Sequence, residues 1–195
     1  MSQKPMLRMR SLVRSEKSRR TADSTAITAR WPEKRNAIDD ETVTGIETFF
    51  RALPDDVGAV LLAGAGEHFS AGLDLGMLKE VDVTEGIAHS RSWHRAFEQI
   101  QFGKVPVVAV LQGAVVGGGL ELAAAAHVRV AERSAYYALP EASRGLFVGG
   151  GGSVRLPRLI GVARMMDMML AGHRPHSPQM VQAVTHARAV RKCID

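Results

Sequence analysis

Cysteine is nearly absent. The 195-residue chain has one, Cys193, which cannot close an internal disulfide and so points to a reducing compartment. Aromatic residues make up 5% of the sequence, and the central block lacks the stripe of Lys or Arg interleaved with aromatics that a single-strand nucleic-acid binder needs. No apolar run is long enough to cross a bilayer, and no segment is built like a secretory signal. Standard phosphate fingerprints are missing too. There is no G-x-x-x-x-G-K-[ST], and the glycines behind the apolar runs are not spaced G-x-G-x-x-G, which weakens P-loop and Rossmann readings. Ser70 and Ser153 lack the G-x-S-x-G elbow of hydrolases. His173 and His176 lie three apart without a further ligand, so no metal set is expected.

What is present fits one soluble domain, 46% hydrophobic and 23% charged, long enough to bury a continuous core. The net charge of +5 is carried by the ends: residues 1–30 hold eight Lys or Arg against two acids, and residues 173–192 are basic as well. Such arms are more often solvated than nucleic-acid reading heads, and nucleic acid is not the expected partner. The Arg- and Ser-rich start loosely fits a transit peptide, so the expected location is cytoplasmic, with the mitochondrial matrix as the alternative. Three zones follow: an irregular basic arm over 1–30, a core over 31–172, and an atypical basic tail over 173–195.

The core reads as α/β. Asp39 and Asp40 precede Val43, Ile46, Phe49, Phe50 and Leu53, a cap followed by helical spacing. Apolar runs at 57–63, 106–111 and 127–131 read as buried strands. A helix over 87–101 carries Trp93, Phe97 and Ile100 on one side, and a small-residue helix covers 120–126. Strands alternating with helices predict a parallel sheet made of crossover units. Met165, Met166, Met168 and Met169 line a core or a subunit contact.

Two glycine-rich loops are the most informative segments. In QGAVVGGGLEL (112–122) a strand gives way to three glycines and then a helix; GAGEHFSAGLDL (64–75) also follows a strand and precedes a helical stretch. Backbone N–H groups at a helix start are unpaired and partly positive, and glycine lets a ligand approach them. Close helix-on-sheet packing explains the glycines equally well. If the two loops converge, they offer two N–H donors to one oxygen. Asp74 reads as an N-cap. Glu121 stands in the first turn of its helix, and Glu141 follows Pro140 in YALPEASRG (137–145). Two carboxyls beside an oxyanion site could hold and activate water. Taken alone, Glu121 reads as a solvated acid at a helix start, and Glu141 as a loop acid paired with Arg144.

Taken together, PEKRNA (32–37), HFSAGLDL (68–75), VGGGLEL (116–122), Pro140-Glu141 and GGGGSVRLP (149–157) resemble the motifs of the crotonase (enoyl-CoA hydratase/isomerase) superfamily, in its order and over residues 31–172. The resemblance implies a ββα spiral that forms a homotrimer or hexamer and binds acyl-CoA thioesters. It needs no separate cofactor, because coenzyme A belongs to the substrate. It implies an oxyanion hole from the N–H groups of Leu73 and Gly118, and catalytic roles for Glu121 and Glu141. It further implies substrate contacts from Lys34, Arg35, Ala71, Asp74, Gly117 and Gly149, although surface solvation explains Lys34 and Arg35 equally well. Glutamate at both positions favours water addition to an enoyl-CoA over relatives with one acid, such as some isomerases. The sequence departs from the family at both ends: the first strands are only hinted at, and the C-terminal helical region is largely missing after Gly172. The competing expectations are another crotonase reaction, an impaired acyl-CoA-binding protein, and a basic RNA-associated protein.

Overall fold

The computed structural model describes residues 23–29, 32–77, 82–173, 184 and 187–188. The basic residues of 1–22, His176 and Cys193 lie outside the described residues. Five strands form one parallel sheet in the order β1 (Asp23–Ala29), β2 (Val57–Gly64), β3 (Val107–Leu111), β5 (Val128–Ala131) and β7 (Ala187–Arg188). Two short strands, β4 (Ala114–Val116) and β6 (Tyr136–Ala138), pair in parallel as a second layer.

The chain repeats a ββα unit. β3 and β4 lead into α3 (Gly118–Ala125), and β5 and β6 lead towards α4 (Gly152–Ile160). In the two preceding units single residues take the place of the second strand. Ile38 bridges Leu73 ahead of α1 (Asp40–Arg51), and Ser70 bridges Val115 ahead of α2 (Val83–Gln101). Each unit therefore deposits one strand in the sheet, one extended piece in the second layer, and one helix outside. This is the α/β spiral expected from the sequence.

Local chemistry explains the elements. Asp39 Oδ1 accepts from Thr42 N at 2.8 Å and caps α1, whose Val43, Ile46 and Phe50 turn inwards at helical spacing. Asp82 caps α2 in the same way through Glu85 N, and starts it four residues before the point read from the apolar pattern alone. The inward face of α2 carries Trp93, Ala96, Phe97 and Ile100. α5 (Val162–Leu170) buries Met165 and Met168, leaves Met169 half-buried, and exposes Met166.

Three local expectations change. The chain does not pass straight from β3 into the glycine cluster: Gly113, at φ +50, turns it so that 114–116 becomes β4. A side chain at Gly113 would strike the Glu67 carbonyl and the His68 ring. Within the arm expected to be irregular, 23–29 forms β1, because Ser24–Ala29 pairs residue by residue with Ala59–Gly64 of β2. Within the tail expected to be atypical, Ala187 and Arg188 pair with β5 as β7. The buried Arg129 of β5 donates through Nε to Val184 O at 2.7 Å and through Nη1 to Ala126 O, tying that tail to the end of α3.

Candidate active site

The second layer brings the two glycine loops side by side. Ser70 N donates to Ala114 O at 2.9 Å and Val116 N donates to Ser70 O at 3.0 Å, which lays 70–73 along β4. On the other edge of the same segment, Ile38 N donates to Gly72 O and Asp74 N donates to Ile38 O. In a parallel pairing, consecutive residues face opposite ways, so the Leu73 N–H points away from Ile38 and towards the start of α3. Gly117 is the N-cap of α3, at φ +53, and Gly118 is its first residue, whose N–H has no intrahelical acceptor. The two amides are neighbours: a Cβ on Gly118 would sit 3.5 Å from Leu73 N, and a Cβ on Gly72 3.0 Å from Gly118 N. Among the described residues, neither the Leu73 nor the Gly118 N–H has a hydrogen-bond acceptor.

Both amides border a cavity of about 230 Å³. Its walls come from four places: Ala71, Leu73 and Leu75; His89, Ser90 and Trp93 of α2; Val116 to Gly118 with Glu121; and Pro140 through Gly150 in part. Trp93 closes one side, and its six-membered ring would meet any Cβ on Gly118 at 2.6–2.9 Å. Glycine at 118 is therefore a packing requirement as well as an open approach to the amide.

The two glutamates share this cavity. Glu121 is 4% exposed, so it is not the solvated acid that its sequence position alone allows. Its Oε1 accepts from Gly150 N at 2.9 Å and from Gly152 N at 2.7 Å. Burial pushes its carboxyl from 4.5 up to about 7, against the pull of those amides and of the Arg155 guanidinium, while the Glu141 charge adds to the rise. Arg155, itself buried, donates through Nη1 to Gly150 O at 3.0 Å and through Nε to Gln101 Oε1 at 2.7 Å. It therefore fixes from behind the loop whose amides hold Glu121. Glu141 is 7% exposed, its Oε1 lies beside Gly117, and its Oε2 is buried without a hydrogen-bond partner among the described residues. Burial raises its carboxyl as well, opposed by Arg144. Arg144 makes no ion pair with it; the pairing suggested by sequence proximity is only a through-space effect.

The other expected contacts divide. Ala71, Gly117 and Gly149 line the cavity; Lys34, Arg35 and Asp74 do not. Lys34 Nζ is paired with Asp74 Oδ2 at 2.7 Å, and Asp74 Oδ1 accepts from Gly76 N, the local capping role read from the sequence. Arg35 is exposed and takes φ +54 in the turn that carries Asn36. Sequence reasoning did not single out His89, Ser90, Trp93 as a cavity wall, or Arg155 as a support. Trp93 was visible only as part of an apolar helix face. Arg155 lay in plain view inside GGGGSVRLP. Among the described residues no group of three His, Cys, Asp or Glu converges on a metal-sized site, and no helix is long and apolar enough to cross a membrane.

A coil of ββα units that opens two loop amides onto a shared cavity is the scaffold of the crotonase superfamily. Comparison with known proteins narrows this: residues 20–183 match the enoyl-CoA hydratase/isomerase family, and the chain belongs to it. A "putative enoyl-CoA hydratase" from Rhodopseudomonas palustris is 54% identical, with a TM-score of 0.85 over 88% of this chain and 67% of that one. The enoyl-CoA hydratase of Thermoplasma volcanium is 32% identical, with a TM-score of 0.79 over 87% of this chain and 69% of that one. The fatty acid oxidation complex subunit alpha of Shewanella amazonensis is 41% identical over 143 residues, or 72% of this chain. The chain spans about 20% of that relative's length.

Proposed function

We propose that this chain hydrates a trans-2-enoyl-CoA, adding water across the conjugated double bond through an enolate. One observation carries the reading. Two acceptor-free amides and two buried carboxyls, supplied by three separate segments, border one cavity. The thioester oxygen sits between Leu73 N and Gly118 N, and the C2–C3 bond lies against Glu121 and Glu141.

The electron flow follows from that placement. Water attacks C3 as one carboxylate takes its proton. The π electrons move through C2 onto the thioester oxygen, where the two amides meet the developing charge. Such donors cost nothing to orient during the reaction, and each is worth about 2.7–4 kcal/mol. The enolate then collapses as C2 takes a proton from the other carboxyl, giving a 3-hydroxyacyl-CoA. Two buried glutamates in electrostatic contact favour holding one proton between them, which suits a reaction needing an acid and a base together. Addition of water leaves the overall oxidation state unchanged, so coenzyme A enters only as part of the substrate.

Loss of the enoyl-thioester absorbance on adding crotonyl-CoA tests this directly. The wild-type chain should turn over. Glu121→Gln and Glu141→Gln should each lose about 10²–10⁴-fold in kcat while still binding a saturated acyl-CoA. Turnover that survives in both variants would remove the carboxyls from the mechanism. Conversion of a 3-enoyl ester with none of the 2-enoyl ester would reassign the chain to double-bond migration.

A further inference from the structure

The peptide unit joining Gly149 to Gly150 has a hydrogen bond at each end. Its carbonyl, on Gly149, accepts from Ser90 Oγ of α2 at 2.8 Å, and its N–H, on Gly150, donates to Glu121 Oε1 at 2.9 Å. A trans peptide is planar, with its C=O and N–H pointing opposite ways, so fixing the oxygen fixes the direction of the hydrogen. We propose that Ser90 is a positioning residue: its hydroxyl holds this peptide plane in the orientation that presents the Gly150 N–H to Glu121. The inference rests on the hydratase reading above and names a part of its apparatus that lies outside the reacting groups.

The plane needs holding because of its surroundings. Gly149 to Gly152 are four glycines in a row, and a peptide flanked by two glycines turns over at little steric cost, since no Cβ restricts either side. Gly149 is also loosely packed: the nearest atom to a Cβ added there is Ser90 Oγ itself, at 3.6 Å. Turned over, the unit would aim its carbonyl oxygen at the Glu121 carboxyl and leave Ser90 without its acceptor. A serine inside a helix commonly returns its hydroxyl to a carbonyl one turn back. Ser90 instead reaches a loop 59 positions further along the chain. The next peptide is held from the other side, by Arg155 Nη1 on the Gly150 carbonyl at 3.0 Å, and the Arg155 Nε–H is taken by Gln101 Oε1 of α2 at 2.7 Å. Helix α2 therefore grips the loop twice, directly through Ser90 and indirectly through Gln101 and Arg155. Gly152 N supplies the second donor to Glu121 Oε1, at 2.7 Å. With two N–H groups on Oε1, that oxygen acts as an acceptor, and the proton that Glu121 takes or gives passes through Oε2. Hydroxyl, peptide and carboxyl also run head to tail, so each hydrogen bond polarises the next.

The test uses Ser90→Ala together with a matched pair: Ser90→Thr, which keeps a hydroxyl, and Ser90→Val, which has the same shape without one. Alanine favours a helix, so far-UV circular dichroism of Ser90→Ala should match wild type. Ser90→Ala and Ser90→Val should lose about 5- to 30-fold in kcat on crotonyl-CoA with KM nearly unchanged, and Ser90→Thr should recover most of that loss. The Glu121 carboxyl can be followed by carbon NMR without any substrate. Burial raises it to about 7 and the Gly150 N–H pulls against that rise, so it should titrate higher in Ser90→Ala and Ser90→Val and return in Ser90→Thr. Glu141 and Arg155, the charged groups that act on Glu121, are the same in all three variants. Identical Glu121 titration in wild type, Ser90→Ala and Ser90→Val overturns the proposal, and so does a Ser90→Thr variant that behaves like Ser90→Val. If no enoyl ester is hydrated but the Glu121 titration still follows the hydroxyl, the hydratase reading falls and the hold of Ser90 on Glu121 stands.

Discussion

Replacing Glu121 with glutamine should weaken catalysis and strengthen the fold at the same time. The carboxyl is buried, and its pKa moves from 4.5 to about 7 on folding. A raised pKa means that the folded state keeps a proton which the unfolded chain releases. Below about pH 4.5 both states are protonated and the residue carries no electrostatic penalty. Between pH 4.5 and 7 stability falls as pH rises, and above 7 the full penalty is present. A displacement of this size corresponds to roughly 3 kcal/mol. Glutamine is neutral throughout, and its carbonyl can still accept from Gly150 N and Gly152 N, so the penalty disappears without breaking the cradle. Thermal unfolding should therefore show Glu121→Gln more stable than wild type at pH 8, by roughly 6–12 °C at 2–4 °C per kcal/mol, with the two converging near pH 4. Hydration by the same variant should fall by about 10²–10⁴-fold. Parallel stability curves from pH 4 to 8 would refute the reasoning, because they would mean that Glu121 is solvated or permanently neutralised.

The remaining predictions concern the parts around that carboxyl. Gly118→Ala introduces a Cβ against Trp93, whereas Gly118→Pro introduces similar bulk and also removes the N–H at a helix position that tolerates proline. The proline variant should be slower than the alanine variant by about 10²–10³-fold in kcat, and equal rates would exclude that amide from catalysis. Arg155→Met leaves Gln101 and the Gly150 carbonyl without their partner and should cost about 1–3 kcal/mol in denaturant unfolding. Because the Arg155 charge lowers the Glu121 pKa, the same variant should move the corresponding limb of the pH–rate profile to higher pH, and a merely structural role would leave that limb in place. Gly152→Ala places a Cβ 2.8 Å from Glu121 Cγ and Oε1, so kcat should drop with little change in KM; a rise in KM alone would argue against displacement of the carboxyl.

Much of the scaffold was legible because its central strands are apolar and its first long helix opens on an aspartate cap. Val57–Gly64 and Val107–Leu111 announce themselves as buried parallel strands, and Asp39 marks the start of α1. β1 was not, because Asp23–Ala29 is rich in Ser and Thr, and its place depends on pairing with β2 rather than on its own pattern. β4 is only three residues long between two glycine turns, too short for any periodicity to appear. In the site, the glycines and glutamates could be picked out, but not their convergence. Twenty positions separate Glu121 from Glu141, and only the coil of units brings both to one cavity. The Lys34–Asp74 pair was equally out of reach: the two side chains stand forty positions apart and meet at 2.7 Å only in the fold.

The Ser70–Val115 bridge has a consequence for how such a chain can change over time. It aligns the Leu73 and Gly118 amides through main-chain pairing, so under the proposed function the donors to the thioester oxygen include no side-chain atom that a substitution could delete. On that proposal the lining can drift in size and charge, and with it the range of acyl groups accepted, while the electrophile is still gripped in the same place. Inheritance of the grip is then separable from inheritance of the specificity, and a single scaffold can be retuned without first being disarmed.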